Sequence, residues 1–211
     1  MTVNQIEKVY DRYSKVYDFI FGWMFANGRE AGQQLLELYP GAQVLEVGVG
    51  TGLSLPRFSL GVDVCGIDLS QDMLNQAQRR VESLRMRNVR LLKMDATKLE
   101  FPDHCFDRVY AAYFISTVLD PVKVVQEMKR VCRPGGYLIF LNHFQSENPV
   151  VASVEKLISP ICKKLGFRTD LNLDWLMNET GLEVETLEQT DFLGHWRAVR
   201  CINPREPRCL R

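Results

Sequence analysis

From Gly41 onward the chain alternates short apolar runs with amphipathic stretches of helical period. The runs at 43–47, 62–67, 89–93, 107–111 and 137–141 are mostly apolar, without regular polar alternation. Runs this short, bounded by turn residues, predict strands buried on both faces. Between them, Met73, Leu74, Ala77, Val81 and Leu84 share one helical face after Ser70, whose hydroxyl suits a helix N-cap. Val124, Val125, Met128, Val131 and Cys132 form a second stripe after Asp120 and Pro121, a cap residue followed by proline at the first helical position. Pro134-Gly135-Gly136 ends that helix and turns the chain into the fifth strand. The alternation predicts an α/β fold in which parallel strands carry helices on both faces.

The two ends break this rhythm. Residues 1–40 have a helical pattern ahead of the first strand. Two more helical patterns lie at 150–164 and 174–180, and 182–188 with 196–202 read as a final strand pair. The tail from Asn203 holds two prolines and is expected to be poorly ordered. The expected division is an N-terminal segment at 1–40, the main domain at 41–202 and a tail at 203–211.

Composition narrows the function. The 26 basic and 26 acidic residues cancel, which argues against a nucleic-acid partner held by a broad basic field. None of the six cysteines forms a C-x-x-C pair, so no metal is expected and a reduced, cytoplasmic protein is the simplest reading. The most apolar early stretch, 19–26, is far shorter than the roughly 20 residues that span a bilayer, though it suits contact with a membrane surface as well as with the core.

The chemistry concentrates after the first strand. Glu46-Val47-Gly48-Val49-Gly50-Thr51-Gly52 leads from strand to helix. Glycines there let the backbone turn sharply and approach a ligand closely. Asp68 ends the second strand about 20 residues after Gly48, the offset at which a carboxylate reaches a ribose hydroxyl pair. Asp95 ends the third strand. Parallel sheets bind ligands at the carboxyl ends of their strands, so these acids converge on one crevice.

The third glycine comes one residue earlier than in the dinucleotide pattern. With Gly66-Ile-Asp68-Leu69-Ser70, Asp95-Ala96, Phe106-Asp107 and Arg133-Pro134-Gly135-Gly136, residues 40–145 resemble the class I methyltransferases that use S-adenosylmethionine. The resemblance implies a doubly wound, Rossmann-like, mostly parallel seven-stranded sheet with an antiparallel last strand. It also implies a cofactor site made of Glu46, Gly48, Gly50, Thr51, Gly52, Asp68, Leu69, Asp95 and Ala96. The glycine loop would follow the methionine part, Asp68 the ribose, and Asp95 the adenine.

Acceptor choice must come from elsewhere. Tyr10, Tyr13 and Tyr17, with Phe19-Ile-Phe-Gly22 and Asn27-Gly28-Arg29, are similar to the start of soluble bacterial phospholipid N-methyltransferases, as is Leu141-Asn142-His143-Phe144. Quinone methyltransferases share a related tyrosine-aspartate start, so a quinone-like or other small-molecule acceptor stands as the alternative. The resemblance makes 1–40 a lid. Tyr13 is expected over the cofactor and Tyr17 at the reaction centre, against a plain aromatic stripe. His143 is expected as base or proton relay, with phosphate orientation or a structural role as alternatives. Asn142, Tyr113 and Arg29 are expected to bind substrate; Arg29 has a cofactor carboxylate, a lipid phosphate or a surface ion pair to choose from. His104 and His195 read as structural. The location expected is the cytoplasm, with reversible contact at the inner membrane face.

Overall fold

The computed structural model describes residues 26–58, 61–146, 157, 168–190 and 196–204. Tyr10, Tyr13, Tyr17 and His195, the helical pattern at 150–164 apart from Leu157, and 205–211 lie outside the described residues. Seven strands form one sheet: β1 (Gln43–Val47), β2 (Asp63–Asp68), β3 (Val89–Lys93), β4 (Phe106–Ala112), β5 (Cys132–His143), β6 (Val184–Gln189) and β7 (Trp196–Ile202). Their order is β3-β2-β1-β4-β5-β7-β6. β1 pairs in parallel with both β2 and β4, while β7 runs antiparallel between β5 and β6. The chain therefore winds outward in two directions from β1 and β4. That reversal opens a crevice at their carboxyl ends.

The helices among the described residues are α1 (Ala26–Gln34), α2 (Gln71–Ser83), α3 (Pro121–Val131) and α4 (Leu173–Thr180). Two apolar layers sandwich the sheet. Leu35, Leu36, Leu74, Ala77 and Val81 cover one face with Tyr110, Ile139 and Leu141. Val124, Val125, Met128, Leu176 and Met177 cover the other with Leu138, Phe140 and Phe144. The caps form: Ser70 Oγ accepts from Met73 N, Asp120 Oδ1 from Lys123 N at 3.0 Å, and Asn172 Oδ1 from Trp175 N at 2.7 Å. Asp120 is thus occupied in holding α3.

Three boundaries differ from the sequence reading. Leu84 caps the end of α2 and is exposed rather than part of its apolar face. Cys132 is not the last residue of the α3 stripe but the first of β5. Asn203 is not loose: it is 3% exposed and donates to the Lys129 and Cys132 carbonyls, while its backbone pairs with Gly135 and Gly136. That clamp, from a residue far along the chain, holds the helix-to-strand turn.

At the amino ends of the strands, Arg108 is buried between the rings of Tyr137 and Tyr39, 4.1 and 5.4 Å from its guanidinium. It donates to the carbonyls of Leu36 at 2.5 Å and Glu37 at 3.4 Å, fastening the end of α1 to β4. The buried thiols of Cys132 and Cys201 are pushed up to about 12 by burial, so neither is a nucleophile near neutral pH.

Candidate functional site

The glycine loop folds as its sequence requires. Gly48, Gly50 and Gly52 have φ of +72°, +55° and +78°, a region that residues with a Cβ rarely adopt. Their tasks differ. A Cβ on Gly50 would meet open space, so the loop offers bare backbone there. A Cβ on Gly52 would strike Leu55 at 2.8 Å and Ala77 at 3.2 Å, so this glycine lets the loop pack on α2. A Cβ on Gly48 would collide with the Phe114 ring at 2.2 Å.

Beyond the loop lies a cavity of about 310 Å³. Gly48, Gly50, Asp68, Leu69, Asp95, Ala96 and Tyr113 line it, together with Phe114 and Thr97. Both oxygens of Asp68 accept backbone N–H groups, from Gly50 at 2.9 Å and Ser70 at 2.9 Å. These bonds fix the orientation of the carboxylate at the cavity wall. Asp95 Oδ1 accepts from Thr97 N and Oγ1, both at 2.8 Å, which sets its orientation in the same way.

Glu46, Thr51, Gly52, Arg29, Asn142 and His143 stand outside that lining. Glu46 is buried beneath the loop, and its Oε2 has no hydrogen-bond partner. Burial pushes its carboxyl up to about 8, against the opposing pull of the Ser54 hydroxyl and the Arg29 charge. Arg29 is itself buried, 5.7 Å from the centre of the Tyr113 ring, so it is no surface ion pair. Thr51 is buried and its carbonyl accepts from Arg80 Nε.

Asn142 is fully buried, and both ends of its amide are used internally. Its Oδ1 accepts from Ser116 N at 3.3 Å and its Nδ2 donates to the His143 carbonyl at 2.8 Å. It thereby ties the loop after β4 to the tip of β5. His143 closes β5 opposite Trp196, with the two rings edge-on at 5.4 Å. Trp196 in turn meets Tyr113 edge-on at 5.1 Å. Tyr113, His143 and Trp196 thus form one aromatic wall, of which Tyr113 reaches the cavity. Sequence reasoning overlooked Phe114 and Trp196. The position of Phe114 just after a strand was a usable signal, whereas Trp196 depends on the antiparallel register of β7. His104 Nδ1 donates to the Cys132 carbonyl, 3.2 Å away, in a turn remote from the loop. No group of three or more His, Cys, Asp or Glu side chains suited to a metal occurs among the described residues.

The residues present fit S-adenosylmethionine. The cavity offers two oriented carboxylates for hydroxyl and amine donors and bare backbone at Gly50, and behind the lining, beneath the loop, lies the unpartnered buried Oε2 of Glu46, an acceptor suited to a cationic amino group.

Comparison with known proteins agrees. A methyltransferase domain family matches residues 45–140. Phosphatidylethanolamine N-methyltransferase from Cereibacter sphaeroides is 40% identical over 191 residues, covering 90% of this chain and 92% of that protein. Demethylmenaquinone methyltransferase from Bacillus cereus is 29% identical over 181 residues, covering 81% of this chain and 75% of that protein. Among solved structures, Haemonchus contortus phosphoethanolamine N-methyltransferase 2 in complex with S-adenosyl-L-methionine has a TM-score of 0.74 at 20% identity, over 92% of this chain and 57% of that one. A SAM-dependent methyltransferase from Aquifex aeolicus has a TM-score of 0.63 at 24% identity, over 82% and 88%. With the sheet order, the glycine loop and the paired carboxylates in place, the chain belongs to the S-adenosylmethionine-dependent methyltransferases.

Proposed function

We propose that this methyltransferase acts on the amine of phosphatidylethanolamine-type headgroups, the reaction that leads to phosphatidylcholine. The observation that carries the reading is the 40% identity, over nine-tenths of both chains, to a phosphatidylethanolamine N-methyltransferase. The 29% match to demethylmenaquinone methyltransferase keeps a quinone-like acceptor as the second reading.

When bound, S-adenosylmethionine supplies a methyl group on a sulfonium, open to direct displacement by a nitrogen lone pair. Asp68 and Asp95 hold the nucleoside end in this reading, and the glycine loop with Glu46, Thr51 and Gly52 holds the amino-acid end. Arg29 serves the carboxylate of the cofactor or the phosphate of the lipid. The attacking amine must first lose its proton. The His143 ring, at the tip of β5 and on the aromatic wall, takes that proton or passes it to water. Tyr113 and Trp196 present apolar surface that excludes water from the approach. Tyr13 and Tyr17, outside the described residues, keep the roles that the resemblance implies for them, at the cofactor and at the reaction centre, and Asn142 keeps the β5 tip in place for the headgroup. Contact with the membrane is reversible in this reading and falls to the apolar stretch at 19–26; no helix among the described residues is long and apolar enough to cross a bilayer.

The test is transfer of labelled methyl from the cofactor to phosphatidylethanolamine vesicles, free phosphoethanolamine and demethylmenaquinone in parallel. Label in the chromatographed lipid methylamines supports the proposal. Label only in the quinone, or only in the soluble phosphobase, refutes it.

A further inference from the structure

Helix α1 carries two glycines one turn apart, Gly28 and Gly32, on the face turned to the sheet. Glycine is among the poorest helix formers, so two in nine residues call for a packing reason. The reason is tyrosine. A Cβ on Gly32 would lie 3.1 Å from Tyr110 Oη, and a Cβ on Gly28 only 2.3 Å from Tyr113 Oη. The two tyrosines are three residues apart on and just beyond β4, and each drives its hydroxyl toward the bare backbone of the helix.

Tyr113 is held in that seat from several sides. Its φ is +57°, a left-handed conformation that a bulky side chain adopts only when its surroundings impose it. Its N–H donates to the Leu141 carbonyl at 2.6 Å. Its ring meets Trp196 edge-on at 5.1 Å, and Arg29 lies 5.7 Å from its centre. Tyr113 also lines the cavity, and the next residue, Phe114, packs on Gly48. So Tyr113 links the helix to the wall of the reaction space.

We infer that Gly28 is a positioning residue for the methyl acceptor: its missing side chain sets where Tyr113 comes to rest, and hence the acceptor-side wall of the cavity. The inference rests on the reading that Tyr113 faces the acceptor. Gly28 touches neither cofactor nor acceptor; it acts through Tyr113. Adding one methyl group there would force the hydroxyl to retreat by about 1 Å to reach ordinary contact, a shift large enough to spoil alignment for displacement.

The experiment compares four full-length proteins: wild type, Gly28→Ala, Tyr113→Phe and the double variant. Each is assayed for acceptor kcat/KM on phosphatidylethanolamine vesicles and for cofactor Kd by calorimetry. Gly28→Ala alone should lower acceptor kcat/KM by about tenfold or more while cofactor Kd changes by less than about twofold. On the Tyr113→Phe background the same substitution should change kcat/KM by less than about threefold, because the hydroxyl it strikes is gone. The remaining neighbours, Thr190 Oγ1 at 3.3 Å and Leu141 Cδ1 at 3.4 Å, need give little. A merely structural Gly28 would, on substitution by alanine, lower the melting temperature through this clash and leave acceptor kcat/KM of the folded protein unchanged. Equal losses on both backgrounds, or no loss on either, overturn the inference. Should Gly28→Ala fail to fold by itself, recovery of folding and turnover in the double variant supports the seat, and continued failure refutes it. Wild-type inactivity on the vesicles refutes the lipid reading alone. The four proteins are then compared on demethylmenaquinone, where recovery in the double variant still decides for or against Gly28.

Discussion

Replacing Glu46 by glutamine should make the ligand-free protein more stable, by an amount that grows with pH. The carboxyl is buried under the glycine loop, one oxygen lacks a partner, and burial displaces its pKa from an ordinary 4.5 to about 8. An acid with a raised folded-state pKa keeps its proton in the folded chain while the unfolded chain has already released its own. The folded state then binds more protons, so stability falls as pH rises, starting near the unfolded value and levelling off near 8. Each pH unit inside that window costs about 1.4 kcal/mol, so over the roughly 2.5 units from the ordinary value to pH 7 the accumulated loss is at most about 3.4 kcal/mol. Glutamine has nearly the same shape and no proton to lose. Urea unfolding of both proteins at pH 5, 6, 7 and 8 gives the difference directly. It should widen steadily in favour of Glu46→Gln from pH 5 to 8. A difference that stays constant across this range would refute the burial argument, because a pH-independent effect cannot come from titration of Glu46. In the proposed reading this carboxyl receives the cationic amino group of the cofactor beneath the loop. The stabilised variant should accordingly bind S-adenosylmethionine more weakly, by about tenfold or more.

Three further outcomes follow from the site and its support. Asp68→Ala should weaken cofactor binding by about 1.5–3 kcal/mol in calorimetry, since a charged acceptor is lost; unchanged affinity in a folded variant would remove Asp68 from the site. His143→Ala should lower kcat by about 10²–10⁴ with cofactor affinity intact if its ring moves the proton, whereas a rise in acceptor KM alone would make it a positioning group. Arg108→Ala should destabilise the fold by about 3 kcal/mol, because it leaves the Leu36 and Glu37 carbonyls unpaired beneath two tyrosine rings; a loss under about 1 kcal/mol in urea unfolding would show that water replaces the guanidinium.

The cofactor half of the site was readable because its signals are local. A glycine loop must follow its strand directly, Asp68 ends β2, and Asp95 comes two residues after the last residue of β3 rather than at its end as the sequence suggested. Within that half, contiguity did not assign tasks. Gly50 faces open space and Gly52 faces Ala77, a distinction that only the packing of α2 creates. The acceptor half was less readable. Period-two alternation places His143 on the same side of β5 as Ile139 and Leu141, but not what stands beside it there.

What the sequence by itself determined is the order of the elements, their caps and the convergence of the acids at the carboxyl ends of the strands. Those follow from apolar periodicity, side-chain hydrogen bonding within a few residues, and the handed rules of parallel sheets. What only the tertiary structure decided are the contacts between residues far apart in the chain. Trp196 joins Tyr113 and His143 because β7 pairs antiparallel with β5. Asn203 holds the start of β5, and Gly28 receives the Tyr113 hydroxyl. Periodicity reports which face a side chain occupies. It carries no information about the partner that a distant segment brings to that face, and in this protein such partners, Trp196 and Gly28, set the surroundings of Tyr113 on the cavity wall.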